Sequence, residues 1–454
     1  MIDKSLLSRY NVPVPRYTSY PTVPYWQDQV DSAKWVENFT STFVDDRGKG
    51  GISLYIHLPF CESLCTYCGC NKKITTNHNV ENEYITAVLK EWKMYSALME
   101  RRPVLRELHL GGGTPTFFSP QNLRNLLEPI LKSSNTHEEL DFSIEGHPNN
   151  TTKDHLATLY DLGFRRISYG VQDNDPEVQR RINRIQPFEN VQRATEAARK
   201  MGYKSVNFDL IYGLPCQSIE SMQRTLEQTI SLRPDRIAFY SYAHVPWTSK
   251  AQRLFDENDL PSPELKMQLY LLGKQMLTEA GYTDIGMDHF ALPHDPLYEA
   301  MQNGTLYRNF MGYTTHNSAM LLGLGVSSIS DIGTAFAQNC KTLHDYYMLI
   351  EENKIPVKKG YFLNEEDVAF RKYILDVSCR GITAFSPEHL HLLEQYTFPE
   401  LTKLSDDGLV TFNKTGLEVS NRGKNFIRNV CRAFDLKLLR THCSDPAATF
   451  SRAI

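Results

Sequence analysis

Apolar residues in this chain come in short runs, and the runs come in a rhythm. Positions 53–58, 107–110, 141–145, 166–170, 205–212 and 236–242 are strand-length and largely apolar. Between them, apolar positions recur every three or four residues over 81–99, 120–132, 188–201 and 219–232, the spacing of an amphipathic helix. Strand–helix alternation predicts right-handed crossovers and a parallel sheet. Six such units predict an α/β fold over residues 51–300, a partial (β/α)6 barrel rather than the closed eight-stranded form. Ahead of it, Val14-Pro15-Arg16-Tyr17-Thr18-Ser19-Tyr20-Pro21-Thr22-Val23-Pro24 has too many prolines for a helix. Residues 1–50 are therefore expected as an extended arm, its aromatics packed on the body near a ligand. Beyond about 300 the rhythm stops. Helical segments from Glu365 and a hairpin-like pair at Leu409-Val410 and Leu417-Glu418-Val419 predict a mainly helical, winged-helix-like C-terminal domain over 301–454.

Composition narrows the class. A chain of 454 residues with 41% hydrophobic content is globular and long enough for two or three domains. Its 49 basic and 53 acidic residues argue against nucleic acid as a partner, so the C-terminal region is expected as a lid or scaffold. Nine cysteines, five of them scattered at Cys216, Cys340, Cys379, Cys431 and Cys443, fit no disulfide framework and suggest a reducing compartment. Met1-Ile2-Asp3-Lys4-Ser5 lacks a secretion pattern, and no run approaches the roughly 18 apolar residues of a membrane span. The expectation is a cytoplasmic protein with no membrane insertion. Without a sustained heptad or apolar stripe, a monomer is expected.

The chemistry gathers where the strands end, the functional side of such a sheet. After the first run comes Cys61-Glu62-Ser63-Leu64-Cys65-Thr66-Tyr67-Cys68-Gly69-Cys70. Thiolates at C-x3-C-x2-C suit an iron–sulfur cluster, with three ligands leaving one iron of a four-iron cube open. Zinc would ask for a second ligand pair, which no downstream C-x2-C supplies; plain thiols are the remaining reading. Gly111-Gly112-Gly113-Thr114 follows the second run and would bring bare backbone to a ligand, although glycines also serve simple turns. Glu145 follows the third, where it could accept from an ammonium or a ribose or merely stand in solvent. Gln172 follows the fourth, Asp209 lies in the fifth between Phe208 and Leu210, and Ala243 follows the sixth. A carboxylate in so apolar a strand points to a polar cavity. Arg184 could pair with a ligand carboxylate or form a surface ion pair. An open iron beside glycines and a carboxylate suits a ligand that chelates through amino and carboxylate groups, as S-adenosylmethionine does.

C-x3-C-x2-C after a strand on a partial barrel resembles the radical S-adenosylmethionine superfamily. Within it the chain is similar over essentially its whole length to the oxygen-independent coproporphyrinogen III oxidases (dehydrogenases). The resemblance is carried by Pro15-Arg16-Tyr17-Thr18-Ser19-Tyr20-Pro21-Thr22, Cys68-Gly69-Cys70-Asn71-Lys72, Gly170-Val171-Gln172-Asp173, Asp209-Leu210-Ile211-Tyr212-Gly213-Leu214-Pro215, Gly286-Met287-Asp288-His289-Phe290 and the stretch 308–315. It implies one [4Fe-4S] cluster on Cys61, Cys65 and Cys68, and two S-adenosylmethionine molecules. Tyr55, Gly112, Glu145 and Ile329 would line the first; Tyr67, Gly113, Thr114, Gln172, Arg184, Asp209 and Ala243 the second. Tyr55 and Glu145 would serve the reaction, with Arg16 and Tyr20 helping to hold substrate. The reaction it implies is decarboxylation of two propionates of coproporphyrinogen III to vinyl groups, giving protoporphyrinogen IX, with a reducing donor such as a flavodoxin system. A haem-degrading radical methyltransferase and a haem chaperone share parts of the pattern. The chain departs from the family at Gly146-His147-Pro148-Asn149-Asn150, where charge flanking the proline is missing, and mildly at Tyr67.

Overall fold

The computed structural model describes residues 4–46, 50–247, 249–441 and 450–451; Met1 to Asp3 and Cys443 lie outside them. Six parallel strands form the centre: β1 (Ile52–Leu58), β2 (Val104–Gly112), β3 (Asn135–Gly146), β4 (Arg166–Gln172), β5 (Ser205–Tyr212) and β6 (Arg236–Ser241). They lie side by side in chain order, as short right-handed crossovers require. The helices between them obey the apolar spacing. Pro120–Lys132 starts at Ser119, whose hydroxyl accepts from Asn122 N–H, and buries Leu123, Leu126, Leu127 and Ile130 on one face. Phe188–Met201 stops at Gly202, in the left-handed conformation at φ 98°.

The sheet does not stop where the sequence rhythm does. Strand β7 (Met320–Leu324), buried throughout, pairs in parallel with β1 on its free edge. Ile329–Asp331, Ala335–Asn339, Val357–Phe362 and Gln27–Asp28 extend that edge antiparallel, while His289–Ala291 and Thr283–Gly286 close the other, making thirteen strands among the described residues. The reason is burial: nearly every residue of β1 is buried, its backbone is shut off from water, and such a strand needs a hydrogen-bonding neighbour on each side. Past Val357–Phe362, helix Glu365–Arg380 leads to a small three-stranded sheet that contains the expected hairpin, Val410–Phe412 against Gly416–Val419.

The N-terminal fifty residues are less extended than expected. Residues 14–22 are free of helix, but helix Ser32–Asp46 follows and buries Trp35, Phe39 and Phe43. Those three aromatics sit four apart, one stripe of a helix, and the stripe outweighs the prolines upstream. The arm itself bridges barrel and C-terminal helices. Arg16 Nη2 donates to the Ser241 carbonyl of β6 (2.5 Å), and the Tyr17 hydroxyl to Asp435 (3.0 Å).

Candidate active site

The C-terminal ends of the parallel strands open on two cavities that share a wall. The larger, about 930 Å³, is lined by Tyr55, His57, His109, Gly112, Glu145 and Ile329 among others. The smaller, about 380 Å³, takes in Cys61, Cys65, Cys68, Tyr67, Gly113, Thr114, Gln172, Arg184 and Asp209. Cys70, Lys72, Gly112, Glu145 and Tyr240 face both.

The thiol loop is held by its backbone. Asn183 Nδ2 donates to the Leu64 carbonyl (2.8 Å), Gln252 Nε2 to Tyr67 (2.8 Å), and Lys72 Nζ and Ser249 Oγ to Cys68 (3.0 and 3.1 Å). Pinning the carbonyls leaves the side chains to face the cavity. Thr114 Oγ1 donates to Cys61 Sγ (3.3 Å) and Arg184 Nη1 to Cys65 Sγ (3.6 Å), contacts that favour thiolate. Burial pushes the Cys61 thiol up to about 11, whereas the neighbouring Cys70 thiol, with the charge of Lys72, draws Cys68 down. Among the described residues no three metal-binding side chains converge on a single ion.

Packing explains the glycines. A Cβ on Gly113 would lie 2.6 Å from the Pro59 carbonyl, and one on Gly112 (φ 114°) 2.6 Å from the His57 ring. The Gly112 N–H is thereby free to donate to Glu145 Oε2 (3.1 Å). His109 Nε2 approaches the other oxygen of Glu145 at 3.4 Å, and its Nδ1 meets Ser143 Oγ at 2.7 Å. His57 Nε2 faces the Asn71 carbonyl (2.9 Å) and must carry the proton there, so Nδ1 accepts from the Tyr55 hydroxyl (3.1 Å). Burial keeps His57 neutral by lowering its pKa.

In the smaller cavity, burial and the charge of Glu145 raise Asp209 to about 7, against a hydrogen bond from Ser168 (3.1 Å) and the charge of Arg184. Arg184 spends Nη2 on the Gly170 carbonyl (2.6 Å), while its Nε is buried without a partner. Such a donor suits a ligand carboxylate. Gln172 holds φ 66°, a left-handed conformation rare for its type and common where function fixes the backbone. His147, from the departing segment, lines this cavity with its pKa lowered to about 3 by burial and Arg184.

Three expected residues stand apart. Ala243 lines neither cavity; its carbonyl accepts from Gln252 Nε2 (3.2 Å). Tyr20 is 2% exposed and its hydroxyl accepts from Leu436 N–H (3.1 Å), so it anchors the arm instead of reaching a ligand. Arg16 sits behind Tyr240, its guanidinium 6.0 Å from that ring. Conversely, sequence reasoning passed over His57, His109 and Tyr240. A histidine set between two aliphatic neighbours, Ile56 and Leu58 or Leu108 and Leu110, was the available sign for the first two.

The radical SAM superfamily model matches residues 55–229. Over nearly the full chain the sequence is 38% identical to the oxygen-independent coproporphyrinogen III oxidase of Pseudomonas aeruginosa, covering 95% of each. It is 39% identical to that of Helicobacter pylori, covering 96% of this chain and 97% of the relative. The solved structure of the Escherichia coli coproporphyrinogen III oxidase, described as a radical SAM enzyme, superposes with a TM-score of 0.88 at 36% identity, covering 96% of this chain and 99% of that one. The thiol loop and the paired cavities are those of a radical S-adenosylmethionine enzyme with a [4Fe-4S] cluster, and the chain belongs to the oxygen-independent coproporphyrinogen III oxidase family.

Proposed function

We propose that this chain decarboxylates two propionate side chains of coproporphyrinogen III to vinyl groups, giving protoporphyrinogen IX in haem synthesis without oxygen. The observation that carries the reading is the shared wall: the thiol cavity and a cavity large enough for a substrate meet at Cys70, Gly112, Glu145 and Tyr240. When bound, the cluster and S-adenosylmethionine supply a carbon radical that takes a hydrogen from propionate. The chain's own residues aim and shield. Cys61, Cys65 and Cys68 hold the cluster, and Glu145, fixed by Gly112 N–H and His109, accepts from an ammonium. Arg184 Nε, without a partner among the described residues, donates to a carboxylate. Tyr55, its hydroxyl committed to His57, offers a ring face stacked on His109 at 5.9 Å. We assign one S-adenosylmethionine to the wall formed by Tyr55, Glu145 and Ile329 and a second to the side of Arg184 and Asp209, with the rest of the larger cavity left to the substrate. Electrons that cleave S-adenosylmethionine come from a reducing donor such as a flavodoxin system; the substrate radical left by hydrogen abstraction loses CO2 and gives one electron to an acceptor, and the setting is cytoplasmic.

The test is anaerobic. The reconstituted, reduced protein is given S-adenosylmethionine and coproporphyrinogen III, and the porphyrins are resolved after oxidation. Conversion to protoporphyrin with release of CO2 is the expected result. Intact substrate, with haem ring opening or tight haem binding in parallel tubes, would transfer the chain to the methyltransferase or chaperone reading.

A further inference from the structure

A third cavity, about 650 Å³, lies at the opposite end of the barrel from the thiols, where β2 begins and the chain enters β7. One wall is a single face of helix Glu365–Arg380, on which Val368, Arg371, Lys372, Leu375 and Arg380 recur at helical spacing. The facing wall carries Arg106 and Tyr307. This volume falls within the range of small-molecule sites, and apolar and cationic groups both contribute to it.

The charges do not cancel. Arg371 is paired with Asp331, and Arg106 Nη2 with Glu139 at 2.8 Å. Lys372 and Arg380 share one carboxylate, Asp376, which also accepts from Thr383 Oγ1 (2.9 Å). Four cations thus meet three carboxylates, and the side chains of Lys372 and Arg380 remain 66% and 43% exposed. The Nε of Arg106 is buried with no hydrogen-bond partner. Val368, 45% exposed, adds an apolar surface beside them.

We propose that this rear cavity is a second binding site, separate from the active site, for an amphipathic organic carboxylate: an anion for Lys372, Arg380 and Arg106 and an apolar body for Val368, Leu375 and Tyr307. A smaller cavity of about 130 Å³ shares Tyr307 and Arg371 with it and shares Leu321 with the active-site cavity. Occupancy at the rear is thereby linked to the catalytic chamber through that smaller cavity and Leu321, a position suited to regulation.

The probes are coproporphyrin III and benzene-1,3,5-tricarboxylate, titrated into the cluster-reconstituted full chain. The wild type should bind a second equivalent of coproporphyrin, or one equivalent of the tricarboxylate, that the active site does not account for. Lys372→Ala/Arg380→Ala should weaken that binding at least tenfold while turnover of coproporphyrinogen III stays within about twofold. Val368→Trp, which fills the cavity from a half-exposed position and leaves the ion pairs intact, should abolish it, and decides the matter if the double variant folds poorly. No second equivalent of either probe in the wild type, or its survival in Val368→Trp, would overturn the proposal. Turnover is read separately, so loss of the rear site and failure of the active-site assignment remain distinct results.

Discussion

Two half-buried aspartates on the same sheet live opposite lives. Asp141, early in the barrel, faces Arg166 at 2.7 Å; burial alone would raise it, but the guanidinium's charge and hydrogen bonds hold it at about 2. Asp209, towards the other end of a strand two places away, has only Ser168 as a hydrogen-bond donor and is pushed up to about 7 by burial and Glu145. Elsewhere on the sheet Arg236 at the start of β6 is likewise paired, with Asp295 at 2.7 Å. The finishing end holds thiols, an orphaned Arg184 Nε and an unpaired Asp209. Asp141 and Asp295 spend their charge on the fold; Asp209 and Arg184 keep theirs for ligands, at a cost in stability.

The sharpest way to break the contrast is at the ligand end. Cys65→Ala removes a cluster ligand and should abolish iron–sulfur absorbance and turnover, while far-ultraviolet circular dichroism is unchanged. Retained cleavage of S-adenosylmethionine in that variant would sink the ligand assignment. At the structural end, Asp295→Ala leaves Arg236 buried beside no carboxylate and should lower unfolding free energy by about 3–5 kcal/mol. Denaturant midpoints measure it; a change below about 1 kcal/mol would mean that the pair contributes little. The smallest effect is a slope. Asp209, raised above its unfolded value of 3.8, keeps its proton in the folded state while the unfolded chain has already lost it. Its stabilising contribution is full below that value and is lost as pH rises towards about 7. Asp209→Asn should flatten stability against pH in that window by up to about 1.4 kcal/mol per unit. An unchanged slope would show that Asp209 ionises freely.

Much of this was readable beforehand, for physical reasons that can be named. Helices 120–132, 188–201 and 219–232 appear as Pro120–Lys132, Phe188–Met201 and Ile219–Leu232, because each is surface-amphipathic and its apolar stripe is a local property. Strand-end residues were legible because a parallel sheet places successive strand ends on one side. β7 was not: Met320-Leu321-Leu322-Gly323-Leu324 is short and apolar without alternation, and its partner lies more than 250 residues away. Tyr20 misled because an aromatic among prolines reads equally as a ligand contact or an anchor, and only the Leu436 N–H decides between them. His57 and His109 were hidden within strands, where an inward-facing side chain looks like core until the cavity is seen.

The pairing of β1 with β7 bears on the order of biosynthesis. The strand that launches the cluster loop emerges early from the ribosome, yet the neighbour that covers one of its edges is made only with residues 320–324. Until then the nascent sheet presents an uncovered parallel edge, open to mispairing and to water. Ile329, on the strand following β7, also supplies a wall of the larger cavity, so that chamber is completed late as well. An oxygen-sensitive cluster loaded before that point would sit on an unfinished floor. The chain's own connectivity therefore favours metal loading after translation of at least the first 330 residues, as a finishing step in maturation.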